Sequence, residues 1–180
     1  MSRVFDVREN VYVAIMTAVA VVMGLIESMF PPFFAFAPGA KIGLPNLIML
    51  IAVFTMRGSK VWTMLILRLV ITALFTGFSV FLYSTAGGVL SLLAMYLVKR
   101  LGPRLVSLVG VSVAGGFFHN VGQLAMASFI AQTPAVMVYL PWLAFFGILA
   151  GLAIGVGGNL LIRRIKPITL LFETRSQLWV

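Results

Sequence analysis

Polar side chains inside long apolar runs are the residues of this chain whose types and spacing suit chemistry. His119 and Gln123 lie four positions apart, so on a helix they share one face, with Asn120 beside His119. In hydrocarbon, such groups either line a ligand cavity or bind one another across neighbouring helices, and the sequence leaves both interpretations open. The candidate ligand-binding residues are Lys41, Asn46, Arg68, Ser84, His119, Asn120 and Gln123.

Arg68 is the most deeply placed cation of this set. It lies about 10 Å into an apolar run from the charged end, at a helical rise of about 1.5 Å per residue. A cation at that depth needs an acidic side chain, helix carbonyls or a ligand phosphate as its partner. Glu27 is the carboxylate that lies inside another apolar run. A structural Arg68–Glu27 ion pair is therefore the alternative to a ligand.

The sequence lacks the residue sets that three classes of enzyme would need: those that bind nucleotide phosphates, those that hold magnesium and diphosphate, and intramembrane serine proteases. The chain has no G-x-x-x-x-G-K-[ST] motif for nucleotide phosphates and no cysteine. Asp6 is its single aspartate, so paired aspartates cannot hold magnesium and diphosphate. Ser84 and His119 do not belong to the Gly-x-Ser-Gly turn that an intramembrane serine protease would need. We predict no catalytic residues, no metal site and no enzyme activity.

Transmembrane helices must position these residues. Of the 180 residues, 62% are hydrophobic and 9% are charged, against roughly 25% charged in an average soluble domain. A spanning helix needs about 20 mostly apolar residues. The predicted fold is all-α, a polytopic membrane protein with six transmembrane helices in one domain, residues 1–180. The predicted spans are Val11–Phe30, Leu44–Met56, Val61–Thr76, Val80–Val98, Leu105–Ile130 and Val136–Ile162.

Two predicted spans have unusual lengths. The second is short and begins next to Pro45, so it is tilted, extended into its loop, or shielded from lipid by its neighbours. The fifth is long enough to tilt or to break at Gly115-Gly116.

Basic residues predict the orientation. They form small groups at 3–8, 57–60, 99–104 and 163–166, all on one side of the predicted membrane. The positive-inside rule makes that side cytoplasmic, with a short N-terminus at 1–10 and a tail from about 163 to 180. The net charge of +9 is thus distributed between spans, whereas a nucleic-acid surface needs clustered cations. We predict a cell inner (plasma) membrane protein, no nucleic-acid partner, and a polar belt in the outer half that opens outward.

Small residues recur at helical spacing in two spans. Gly147, Gly151 and Gly155 share one face of the sixth span, and such faces let helices approach closely. Packing inside one subunit and contact with another subunit are the two interpretations. Ala14 and Ala18 form a shorter face of the same kind near the cytoplasmic end of the first span.

Several motifs resemble a known bacterial family. They are Gly39-Ala-Lys41-Ile-Gly-Leu-Pro-Asn46, Arg68, Tyr83-Ser-Thr-Ala-Gly87-Gly88 followed by Met95, and His119-Asn120-x-x-Gln123. Together they resemble the Gx transporters, a family also named heptaprenyl diphosphate synthase component I. The resemblance runs from about Val11 to Arg164.

This resemblance implies a relative of the S components of energy-coupling factor (ECF) transporters, which are six-helix substrate-binding proteins. Ala14 and Ala18 match the Ala-x-x-x-Ala motif that docks on a transmembrane coupling subunit, which works with ATPases. The implied ligand is a vitamin-like micronutrient bound from outside, with a flavin as the first candidate. The remaining implied partner is membrane lipid. The alternative is a non-catalytic membrane helper for isoprenoid or prenyl diphosphate synthesis or transport, since one aspartate cannot assemble the magnesium site of a synthase.

Overall fold

The computed structural model describes residues 2–29 and 43–169, and within them the chain forms α-helices and one 3₁₀ turn, with no β-strand. The helices are α1 (Ser2–Met29), α2 (Leu44–Thr55), α3 (Gly58–Thr76), α4 (Phe78–Lys99), α5 (Leu108–Ala131) and α6 (Leu140–Thr169), with the 3₁₀ turn at Pro134–Tyr139. Each predicted span corresponds to one of these helices.

The ends of the helices differ from the predicted spans in a few places. α1 begins at Ser2, so most of the predicted N-terminal segment 1–10 is helical. α5 begins at Leu108 because the Ser107 hydroxyl accepts the Gly110 N–H at 3.2 Å and caps the helix. α6 continues to Thr169, and the rest of the predicted tail lies outside the described residues. The fifth helix is continuous through Gly115-Gly116.

Four segments of the described chain are long and apolar enough to cross a membrane: Val7–Met29, Gly58–Thr76, Phe78–Lys99 and Pro134–Arg164. Their outward faces carry large exposed apolar side chains, which water would not favour over that extent. The protein is therefore a membrane protein. Examples of these side chains are Val11, Ile15, Leu74, Phe75, Leu97 and Leu160.

The two other helices, α2 and α5, are not among these four segments, so six spans stay a prediction. α2 has 12 residues, about 18 Å at 1.5 Å per residue, against a hydrocarbon thickness of about 30 Å. α5 has 24 residues, but His119, Asn120 and Gln123 lower its hydropathy.

α2 lies at the centre of the bundle. Every residue from Ile48 to Thr55 is buried, and the helix contacts all five other α-helices. A helix that is apolar all round is stable only when other helices surround it. Of the alternatives for this short span, shielding by its neighbours is the one that the structure adopts.

The glycine face of α6 packs on α5. A Cβ at Gly116 would lie 2.3 Å from the carbonyl oxygen of Gly147, and a Cβ at Gly151 would lie 2.7 Å from the Cα of Val113. Gly155 approaches the start of α5 in the same way. These backbones touch because no side chain stands between them, so the small-residue face serves packing inside one subunit.

Basic groups gather at one end of the bundle. Lys60 Nζ donates to Asn10 Oδ1 at 2.6 Å, which ties the start of α3 to the first turns of α1. Lys99 Nζ donates to the carbonyl of Val53 at 2.5 Å, which brings the end of α4 to the end of α2. Gly158 on α6 lies near Leu108, the first residue of α5, so the last turns of α6, with the basic pair at 163–164, continue toward the same end. The polar site described next lies in the opposite half.

Candidate functional site

A polar cavity lies between the helices in the half of the bundle away from the basic end. All six α-helices contribute to its wall, and its volume is about 90 Å³. That volume accommodates several water-sized groups. The polar residues of its wall are Glu27, Ser28, Asn46, Arg68, Thr72, Thr76, Ser84, His119, Asn120 and Gln123.

Six of the seven candidate residues line this cavity, and they come from four different helices. Lys41, the seventh, lies outside the described residues. The structure thus brings together polar side chains that are distant in sequence, while their role in ligand binding stays a prediction. The six are Asn46, Arg68, Ser84, His119, Asn120 and Gln123.

Arg68 is the buried cation of the site, with 6% of its surface exposed. Its Nε–H has no hydrogen-bond acceptor among the described residues. The carboxylate of Glu27 attracts the guanidinium electrostatically. However, in residues 2–29 and 43–169 the ion pairs within 4.0 Å do not include one between these two side chains. The predicted structural pair is therefore an attraction across the cavity and not a direct contact.

Glu27 and Gly43 connect the end of α1 to the start of α2. The Gly43 N–H donates to Glu27 Oε1, so the carboxylate has a fixed backbone donor. Gly43 has φ +79°, a left-handed conformation that L side chains rarely adopt. A Cβ there would also lie 3.3 Å from Ile154. The positive φ therefore favours glycine at this position.

The start of α2 explains the burial of Asn46. Its backbone N–H donates to the carbonyl of Gly43 at 2.7 Å, and Pro45 occupies the first turn, where a missing N–H does no harm. Because α2 starts inside the bundle, this first-turn amide lies in the cavity wall and not at an aqueous surface.

Asn120 joins two helices at the cavity wall. Its Nδ2 donates to the carbonyl of Leu143 at 2.7 Å, a buried bond between α5 and α6. This is the interhelical bond that the structural interpretation of the polar belt predicts. Asn120 thus supports the bundle while its side chain borders the cavity.

His119 and Gln123 face α4 across a narrow gap. A Cβ added at Gly87 would lie 2.8 Å from Gln123 Cγ and 3.1 Å from His119 Cε1. Gly87 therefore leaves the room that these two side chains occupy. The Tyr83-Ser-Thr-Ala-Gly87-Gly88 motif thus contributes in two ways. Gly87 makes room for His119 and Gln123, and Ser84, one turn earlier, lines the cavity itself.

Sequence reasoning missed three hydroxyl residues of the site: Ser28 at the end of α1, and Thr72 and Thr76 on α3. Thr72 and Thr76 follow Arg68 at four and eight positions, so α3 presents one polar stripe to the cavity. This spacing was a readable signal. The Thr76 hydroxyl donates to the carbonyl of Thr72 at 2.9 Å, the common way for a helix to satisfy a threonine.

The described wall of the cavity carries polar groups that can bind a small molecule. Among the described residues no group of three His, Cys, Asp or Glu side chains could hold a metal ion. The described part of the wall offers a cation, a carboxylate, amides, hydroxyls and an imidazole. Such a set can fix the orientation of a small polar molecule by hydrogen bonds.

Comparison with known proteins adds a family. Residues 16–161 match the family model described as heptaprenyl diphosphate synthase component I. The chain belongs to this family. No curated protein and no solved structure matches it.

The matched range contains the whole described cavity wall. Ala18 lies inside this range, and Ala14 lies before it. The family description names one component of a synthase, which indicates that the protein works with a partner protein.

Proposed function

We propose that this protein is a membrane-embedded, non-catalytic subunit that binds a small polar molecule, in the manner of an ECF transporter S component. The observation that carries this function is a cavity walled by all six helices, with a buried arginine and several amides and hydroxyls. Ionisable side chains inside a membrane bundle are energetically costly and often mark a substrate pathway.

The position of the cavity supports binding from the outer side. Its polar residues lie near the ends of α1 and α3 and near the starts of α2 and α4, away from the basic end. If the basic end is cytoplasmic, as the positive-inside rule predicts, the cavity lies in the outer half of the membrane.

A face on α1 supports docking to a coupling subunit. Ala14 and Ala18 are both exposed on α1, one turn apart, so a partner helix can approach the backbone there. We propose that a transmembrane coupling subunit with its ATPases docks on this face.

The size of the cavity favours a ligand smaller than a flavin. Pockets for drug-sized ligands have volumes of about 300–1,000 Å³, whereas this cavity has about 90 Å³. A flavin would require the helices to move apart. Within the vitamin-like class, we therefore favour a compact molecule.

The family description favours a second function, that of a helper in prenyl diphosphate synthesis or transport. Such a helper would not catalyse, because Asp6 is the chain's single aspartate and prenyl transfer needs carboxylates that hold magnesium. The proteins that copurify discriminate the two functions: coupling subunits indicate transport, and a prenyl synthase indicates the helper.

The test of ligand binding is a pair of matched variants on α4. Ser84 lines the cavity, whereas Ser79 is exposed on the same helix and outside the cavity wall. We expect Ser84→Phe to fill the cavity and Ser79→Phe to leave it open. The purified proteins are compared by mass spectrometry of the small molecules released on denaturation. A compound present in wild type and Ser79→Phe but lost from Ser84→Phe supports the function. Equal release from all three contradicts it.

A further inference from the structure

We propose that the ligand of this cavity carries an oxyanion, a carboxylate or phosphate group, that binds the guanidinium of Arg68. This assignment rests on the proposed ligand-binding function and specifies its substrate class.

The first reason is the unsatisfied state of Arg68. The residue is 94% buried, taken from its 6% exposure, and no protein acceptor in the described part of the chain bonds its Nε–H. A buried charge without a hydrogen-bonded partner is strongly unfavourable. Glu27 attracts it only from a distance. An anionic group of a ligand would supply the missing acceptors.

The second reason is the geometry of the guanidinium. It is a planar group with N–H donors only, and its donors match the oxygens of a carboxylate or phosphate in pairs. The Nη2 end of the guanidinium lies close to α4: a Cβ at Gly88 would lie 3.4 Å from it.

The third reason is the position of Arg68 along the cavity. It lies eight residues before the end of α3, about 12 Å by the helical rise. The side chain also borders a second, tightly packed region of α2, α3 and α4, lined by Met49, Leu65, Leu92 and Met95 together with Asn46 and Ser91. Arg68 therefore lies between the cavity and this mostly apolar region, where an anionic group in the cavity can reach it.

The experiment uses the full-length protein, purified in mild detergent and freed of ligand. Its thermal unfolding is followed in sodium acetate, in sodium phosphate and in sodium chloride of equal ionic strength. We expect acetate or phosphate to raise the midpoint above the chloride value, because a ligand that binds the folded state stabilises it. The more effective anion identifies the group as carboxylate or phosphate.

Two variants locate the effect. Arg68→Lys keeps the charge but loses the fork, and we expect at least about ten-fold weaker anion binding. Arg164→Gln removes an exposed cation at the basic end and should leave the effect unchanged. An equal anion effect in wild type and Arg68→Lys, or no anion effect in wild type, would overturn the assignment.

A second measurement does not depend on the folding of any Arg68 variant. The compound that wild type releases and Ser84→Phe does not release is examined for a carboxylate or phosphate group. A compound with such a group supports the assignment. A neutral or purely cationic compound overturns it while leaving the ligand-binding function intact, and the absence of any such compound counts against the function itself.

Discussion

The carboxamide of Asn120 on α5 donates a hydrogen bond of 2.7 Å to the backbone carbonyl of Leu143 on α6. It lies directly against Gly147, where a Cβ would come within 2.9 Å of Asn120 Nδ2. One side chain of the polar belt thus has a structural role. The two interpretations of the belt can therefore be tested residue by residue.

Removal of the Asn120 bond should destabilise the bundle. We expect Asn120→Ala to lower the free energy of unfolding by about 0.5–1.5 kcal/mol, the usual net contribution of one hydrogen bond. Thermal unfolding in detergent measures it. Gln132→Ala is the control, because Gln132 is exposed and donates within its own turn. A loss no larger than that of the control would show that the interhelical bond contributes little.

His119 should affect ligand binding more than stability. If it orients the ligand, His119→Ala should weaken the binding of the copurified compound at least about ten-fold with little change in unfolding temperature. Gln123→Ala should act in the same direction, since both side chains lie in the gap left by Gly87. The measurements are a binding titration and a thermal unfolding curve. Loss of stability at unchanged affinity would mean that this part of the belt only holds helices together.

The backbone contact between α5 and α6 should not tolerate a side chain. In Gly151→Ala the new methyl group would lie 2.7 Å from Val113 Cα, so the helices must separate at a cost of about 1–3 kcal/mol. Gly157→Ala is the matched control on α6, because a Cβ there meets no atom within 4 Å. Unfolding midpoints of the two variants are compared. Equal midpoints would contradict close packing at Gly151.

Docking through α1 predicts a defect in assembly alone. Ala14 is exposed, so Ala14→Trp should leave the isolated protein folded but block its copurification with a coupling subunit. Leu149→Trp places the same bulk on the exposed face of α6 and should assemble normally. Normal assembly of Ala14→Trp would remove the main physical link to ECF transport.

The basic end of the bundle predicts the membrane orientation. The Arg57–Glu9 ion pair, 3.7 Å long, lies between the α2–α3 turn and α1 at this end. With its excess of Lys and Arg we expect this end to face the cytoplasm. A reporter fused after Val180 should then be active only as a cytoplasmic protein. Activity of an extracytoplasmic reporter at that position would reverse the orientation and turn the cavity inward.

Much of the fold was predictable because the bilayer restricts what an apolar run can do. Six apolar runs predicted six helices, and each exists near its predicted position. The ends were less predictable, since they depend on local bonds such as the Ser107 cap of α5. The face formed by Gly147, Gly151 and Gly155 also indicated close helix packing, because spacing alone puts small residues on one side.

The tertiary structure decided which polar residues meet and what each of them contacts. Depth along a helix is readable from sequence, but rotation and neighbours are not, because they follow from how all six helices pack at once. Sequence placed Arg68 and Glu27 as a candidate ion pair, and packing put them on one cavity without a direct bond. Helix packing also brought the Asn120 side chain to the carbonyl of Leu143 and surrounded α2 with the other helices. Every residue carries a backbone carbonyl, so the sequence does not indicate which carbonyl accepts the Asn120 hydrogen bond. Only the folded structure identifies Leu143 as the acceptor.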